Sequence, residues 1–192
     1  MDPDALPVDE WQAKMVQYAD FLSARRSSIP KKLWRFFRHD FFHDGGFEDF
    51  GWDGLPGSFS MQLNCPNIKF ISGGAHDGRS FDRTADYAYV NASFICSFQA
   101  VHHFAIRAYE LDESEPYHDP SEISFVGAKI EAEQELIAAA KLETGEEHHS
   151  IVIDCWQCAM TIVFQYCDVE PVESLAFAAL LDDPRFQIPF AE

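Results

Sequence analysis

The sequence predicts an α+β domain: one twisted, mainly antiparallel sheet of about six or seven strands, with helices at both ends and one helix inserted near 129–143. Three observations predict it. Helical periodicity is confined to the two ends and to that one inner segment. The middle of the chain consists of short segments rich in aromatic and β-branched residues, separated by turn residues. Finally, 192 residues that are 47% hydrophobic and include 18 Phe can fill one large core. The expected layout is a single domain over 1–192, with a helical part at 1–45, the sheet and inserted helix at 46–168, and a C-terminal helix and tail at 169–192.

Residues 8–26 read as the first helix, because Trp11, Met15, Tyr18 and Leu22 recur at helical spacing. In "SSIPKKL", Ser28 can cap a second helix and Pro30 suits its first turn. Leu33, Trp34, Phe37 and Phe41 then mark one apolar face, and Gly45 and Gly46 can adopt the positive φ that ends a helix. "FEDFGWD", "SFSMQLN" and "IKFIS" follow as strands, with "DGLPG" and "CPN" between them. Residues 73–86 read as a loop. "YAYVNASFICSFQAV" and "HHFAIRAYEL" are strand candidates close enough in sequence to form a hairpin. After a second loop, "KIEAEQELIAAAKLE" has the strongest helix propensity in the chain. "HHSIVIDC" and "AMTIVFQYC" form another expected hairpin, and "EPVESLAFAALLDDP" a last helix with Pro171 near its start and Pro184 past its end.

Charge sets the broadest functional limits. Against 14 Lys and Arg stand 32 Asp and Glu, a net charge of −18. Such a surface repels nucleic acid and anionic membrane and favours basic partners. Between Glu110 and Glu147, twelve acids face only Lys129 and Lys141, leaving −10. Arg25, Arg26, Lys31, Lys32, Arg35 and Arg38 instead crowd into one short basic segment. No apolar run reaches bilayer-spanning length. The acidic "MDPDALPVDEW" lacks the pattern of a signal peptide. Five cysteines, an odd number, read as reduced thiols in a cytoplasm.

Two stretches invite a chemical reading. In "RHDFFHDGG", His39 and His43 stand four apart, the spacing at which a helix presents two zinc ligands to one side. Asp40 would then be the general base and His76 a third ligand. The simpler reading makes the stretch a helix end, where histidines meet the helix dipole favourably and Asp44 begins a turn. "CWQC", Cys155 to Cys158, has the redox spacing but lies in β-like sequence without a basic neighbour, so buried unreactive thiols are expected. The nucleotide and nucleophile-elbow motifs G-x-G-x-x-G, G-x-x-x-x-G-K-[ST] and G-x-S-x-G do not occur.

"LWRFFRHDFFHDGGFEDF", residues 33–50, resembles a group of bacterial proteins in which a helix ends in Phe-His-Asp-Ala/Gly and leads into an antiparallel sheet. Some of these are immunity proteins that neutralise a co-encoded toxin. The resemblance implies a small α+β fold, an architectural corner at His43-Asp44-Gly45, and no catalytic residues. The expectation is therefore a cytoplasmic, non-catalytic acidic protein without cofactor, which binds a basic protein through Glu131 and Glu135 on one helix face. The alternative is a zinc-dependent hydrolase built on His39, His43 and His76, with Asp40 as base.

Overall fold

The structure, a computed structural model, describes residues 8–38, 42, 44–72, 87–109, 123–172 and 186–187. Among the described residues, three helices and nine strands follow in the order α1 (Val8–Arg25), α2 (Lys31–Phe37), β1 (Gly46–Trp52), β2 (Gly57–Ser72), β3 (Tyr87–Val101), β4 (His103–Ala108), β5 (Phe125–Ile130), α3 (Gln134–Thr144), β6 (His149–Cys155), β7 (Cys158–Phe164), β8 (Tyr166–Val172) and β9 (Phe186–Gln187). The α+β class and the antiparallel pairing are as the sequence predicts. The strands are divided between two sheets, however, where one was expected: β1-β2-β3-β8, with β9 on β2, and β4-β7-β6-β5.

The division comes from two chain segments that change sheet. β3 passes into β4 with only His102 between them, and β7 passes into β8 with only Gln165 between them. Both segments therefore bend instead of folding back, so the hairpin expected from residues 87–111 does not form. β4 pairs with β7, and β3 with β8. The corners hold each other: His102 N–H donates to the Val163 carbonyl at 2.8 Å, and Gln165 N–H donates to the Gln99 carbonyl at 3.1 Å. Ala100, with φ of 49°, is the extra residue where the register steps from Ser58–Gln99 to Gly57–Val101. Bulges of this kind bend a strand and increase its twist. At the other side, Gly46 bridges Ser124 beside β5, while Trp52 touches Phe104 of β4 at 4.9 Å between ring centres. β1 thus runs across the second sheet from one edge strand to the other.

The inner faces of the two sheets enclose an aromatic core. Phe37, Phe42, Phe94, Phe98, Phe125 and Phe164 are fully buried. Phe42 meets Phe94 edge-on at 5.3 Å and Phe125 at 5.8 Å, so one ring touches both sheets. α2 packs against β8 and β5 and inserts Leu33, Phe36 and Phe37 between the sheets. α3 lies on the outer face of the second sheet, over β6 and β7, and buries Ile137 and Ala140.

Several boundaries differ from expectation. α2 ends at Phe37, well before the glycines, since Phe42 is drawn into the core and the Gly45 N–H donates to its carbonyl at 2.8 Å in a turn. Asp44 carries the positive φ (61°), not Gly45. Gly45 is needed for space: a Cβ there would stand 2.7 Å from the Phe42 carbonyl oxygen. Ser28 does not cap α2; its hydroxyl donates to the Arg25 carbonyl at the end of α1. "SFSMQLN" and "IKFIS" are one strand, which absorbs "CPN" as a register shift between Cys65 and Ile68. Lys129 and Ile130 finish β5, and the inserted helix begins only at Gln134. Glu170, Pro171 and Val172 belong to β8, so the last helix does not begin there; residues 173–185 and both long loops lie outside the described residues.

Phe37 fills the point where α2, β3 and β5 meet, with Phe98 at 6.1 Å and Phe125 at 6.4 Å. Phe37→Ala is expected to cost about 3–5 kcal/mol, the range for emptying a large aromatic site, measured from the urea midpoint at unchanged slope.

Candidate interaction surface

Of the residues singled out from sequence, His39, Asp40, His43 and His76 lie outside the described residues. Among the described residues, no group of three or more His, Cys, Asp or Glu is placed to hold a metal. Glu131 and Glu135 are not neighbours on a helix. Glu135 is exposed in the first turn of α3, whereas Glu131 precedes the helix and is 1% exposed. The expectation that Glu131 contacts a partner is therefore overturned, because its carboxylate is used inside the protein.

The cause is a buried tether between α1 and the second sheet. Glu131 has φ of 52°, a left-handed conformation that non-glycine residues adopt at a cost. Its Oε2 pairs with Arg25 from the end of α1, and its Oε1 accepts from His149 Nδ1 of β6 at 2.8 Å. Next to it, the Tyr18 hydroxyl accepts from the Ile130 N–H at 2.6 Å. Burial alone would raise the Glu131 carboxyl, but the His149 and Arg25 hydrogen bonds outweigh it and hold the group below its ordinary value. Burial, and the Glu131 charge, push the Tyr18 phenol up to about 12.

Most cations of the basic segment are likewise engaged within the protein. Lys32 pairs with Asp168 of β8 and donates to the Val169 carbonyl at 3.1 Å. The Arg35 guanidinium lies over Phe36, and those of Arg26 and Arg38 over Trp34. Lys32 ties α2 to β8 and Arg26 ties it to the end of α1, and the aromatic neighbours of these cations belong to the core.

A surface the sequence did not announce lies where β1 and β4 approach. Pairing in β1 steps from Phe47–Leu63 to Asp49–Gln62, so Glu48 is an extra residue. Phe47 and Phe50, three apart, would otherwise point to opposite sides of the sheet. The bulge brings them into line with Trp52, opposite the buried Leu63, Met61 and Phe59. All three rings therefore belong to the inner face, yet Phe50 and Trp52 are 42% and 43% exposed. On β4, Phe104 lies 4.7 Å from the Phe59 ring, and Ile106, opposite Met160, is 60% exposed. The core thus continues to the surface between two edge strands, a region that α2 does not reach. Glu48 and Asp49 on β1, and Asp53 just after it, are exposed. Their hydrogen bonds go to neutral groups: Gln62, the Phe50 N–H and Ser58. Among the described residues no cation pairs with them. An alternation of apolar and polar residues cannot reveal such a patch in advance, because the bulge shifts the phase.

Cys155 and Cys158 close the β6–β7 hairpin on either side of Trp156 and Gln157. Burial first, then each other's proximity, pushes the Cys155 thiol up; burial also raises Cys158. Cys65 and Cys167 are pushed up to about 12, again chiefly by burial. Such thiols hold few of the thiolates that react.

Comparison with family models, curated proteins and solved structures returned no significant match.

Glu131→Gln keeps the side chain's shape but removes its charge, and is expected to cost about 1–3 kcal/mol, as loss of a charge-assisted hydrogen bond does. A lowered pKa in the folded state stabilises above the ordinary glutamate value of 4.5 and is lost as pH falls through the folded value. Melting curves of wild type and variant should therefore converge in acid; a constant gap would contradict the tether.

Native protein should react with a thiol reagent over hours and denatured protein within minutes. Rapid native labelling of Cys155 or Cys158 would show that the hairpin opens or activates them.

Proposed function

We propose that this is a non-catalytic, acidic interaction protein that binds a basic partner on the β1/β4 surface. The observation that carries this reading is the pairing of half-exposed Phe50 and Trp52 with the acids Glu48, Asp49 and Asp53 beside them. An apolar centre supplies affinity, and a charged rim supplies orientation and rate. Asp49 Oδ1 already accepts from the Phe50 N–H at 2.8 Å on β1. Part of that strand's hydrogen-bonding edge is therefore satisfied, which favours docking by side chains over addition of a further strand. The net charge of −18 adds a long-range field that attracts a cationic protein. An immunity-type inhibitor, the role suggested by the resemblance over residues 33–50, fits this chemistry. Five free thiols suit a reducing cytoplasm. Among the described residues, no helix is long and apolar enough to cross a membrane.

The test uses a labelled cationic amphipathic peptide, with lysines on one helix face and leucines on the other, followed by fluorescence anisotropy. Wild type should bind with an affinity that falls as salt rises. Trp52→Ala, and separately reversal of Glu48, Asp49 and Asp53 to Lys, should each weaken binding by about tenfold or more. Reversal of Glu135 and Glu143 on α3 controls for the general field and should cost less. Equal losses from both reversals, or none from Trp52→Ala, would remove the β1/β4 surface as the docking site.

A further inference from the structure

Among the described residues the two sheets end in the edge strands β1, β8, β5 and β4, and the first three are blunted by their surroundings. On β1, the bulge at Glu48 interrupts the ladder and Asp49 Oδ1 accepts from the Phe50 N–H. On β8, Asp168 Oδ1 accepts from the Val169 N–H, Lys32 donates to the Val169 carbonyl, and Pro171 has no N–H to offer. On β5, the Phe125 N–H donates to the Gly45 carbonyl at 2.8 Å, and the Phe125 carbonyl accepts from the Asp44 N–H at 3.1 Å. Open strand edges invite pairing with another chain, and devices of this kind prevent it. β4 is built differently. It has no bulge and no proline, and Ala105, Ile106, Arg107 and Ala108 are all exposed. Its one arginine, Arg107, lies 5.8 Å from the Tyr109 ring centre and so stays against a neighbour in its own chain.

The register shows which groups this edge offers. The Tyr109 N–H donates to the Gln157 carbonyl at 2.9 Å, in step with the Arg107–Ala159 and Ala105–Thr161 pairs. Hydrogen-bonded pairs alternate along an antiparallel ladder, so Phe104, Ile106 and Ala108 turn their N–H and C=O groups away from β7. Among the described residues nothing bonds to those groups. The side chains of Phe104 and Ile106 belong to the inner face, where Trp52 meets Phe104 at 4.9 Å and Ile106 is 60% exposed. A strand added to β4 would therefore gain backbone pairing and, on its inward side, contact with the half-exposed rings. We propose that β4 receives an extended segment of the basic partner as a further strand of its sheet. The segment carries apolar residues at alternate positions, beside Phe104 and Ile106, and lysine or arginine between or flanking them, which Glu48, Asp49 and Asp53 attract. β1 then contributes side chains to the contact and β4 contributes backbone. Charge decides between this occupant and a second copy of the chain. Two copies would each bring −18 to an edge-to-edge pair, and like charges oppose it. This inference rests on the β1/β4 reading and narrows it to the backbone conformation of the partner's segment.

The probe is a labelled peptide of alternating valine and lysine, offered to the wild-type protein unmodified, N-methylated at every valine, or N-methylated at every lysine. Methylation removes backbone donors and leaves the side chains as they are, and each methylated form controls for the other. In antiparallel addition the valine N–H groups face β4. Valine methylation should then weaken binding by about tenfold or more, and lysine methylation should not. The opposite order gives parallel addition and supports the proposal equally. Amide exchange at Phe104, Ile106 and Ala108 should slow with the unmodified peptide, while Ala105 and Arg107, already paired with β7, change little. Equal affinity of all forms, with Trp52→Ala still weakening each, would keep the β1/β4 surface and overturn strand addition. Equal loss in both methylated forms, or unchanged exchange at the three amides, would also overturn it. Binding of the helical probe but not of the extended peptide would overturn strand addition alone, and binding of neither would overturn both readings. Protection of the same amides at rising protein concentration, without peptide, would assign the edge to a second copy instead.

Discussion

Two strands that change sheet at one-residue corners constrain everything else in this fold. β4 pairs with β7, and Ser93–Gln99 of β3 with β8, on either side of the corners, so the bend at His102 can exist only alongside the bend at Gln165. Once both ladders turn, two inner faces confront one another, and the space between them must be filled at close-packed density. Phenylalanine fills it. Leu33, Phe36 and Phe37 arrive from a short helix of low intrinsic stability, because seven residues gain little from helix propagation in isolation. α2 is helical since its burial against β8 and β5 makes it so.

The same dependence explains where charge is spent. Lys32 reaches Asp168 and the Val169 carbonyl on β8, while Arg25 reaches Glu131 beyond β5. Each cation fastens the helical pair to a different sheet. Exposed pairs such as Lys32–Asp168 contribute little individually. The Glu131 carboxylate is different, being enclosed and held by two donors, and its left-handed backbone is sustained by those contacts.

Much of the fold was legible because it depends on local pattern. α1, the β6–β7 hairpin and the aromatic core follow from periodicity and composition, and their boundaries fall within a few residues of expectation. The division into two sheets was not legible. "QAVHHF" looks like a turn between adjacent strands and "FQYC" like the end of one strand, and nothing local distinguishes a chain that folds back or runs straight from one that bends onward. Glu131 was misread for a related reason: "KIEAEQEL" has helical propensity throughout, but strand pairing of Lys129 and Ile130 with β6 outcompetes it. The β1/β4 surface escaped notice because one extra residue, Glu48, changes which side of the sheet Phe47 faces. The His-Asp stretch, so prominent in sequence, is flanked by described residues with structural duties: Phe42 in the core and Gly45 in close contact.

The bent ladder has a consequence for how the chain can be divided. A break between β4 and β5 would leave β3 and β4 on one fragment and β7 and β8 on the other. Every strand pair that crosses the corner would then become intermolecular. Neither fragment could cover its aromatic inner face alone, since the opposing half of each ladder lies on the other piece. The two are halves of one cooperative unit, related as complementary fragments that fold only on meeting, even though the intact chain shows two separate sheets.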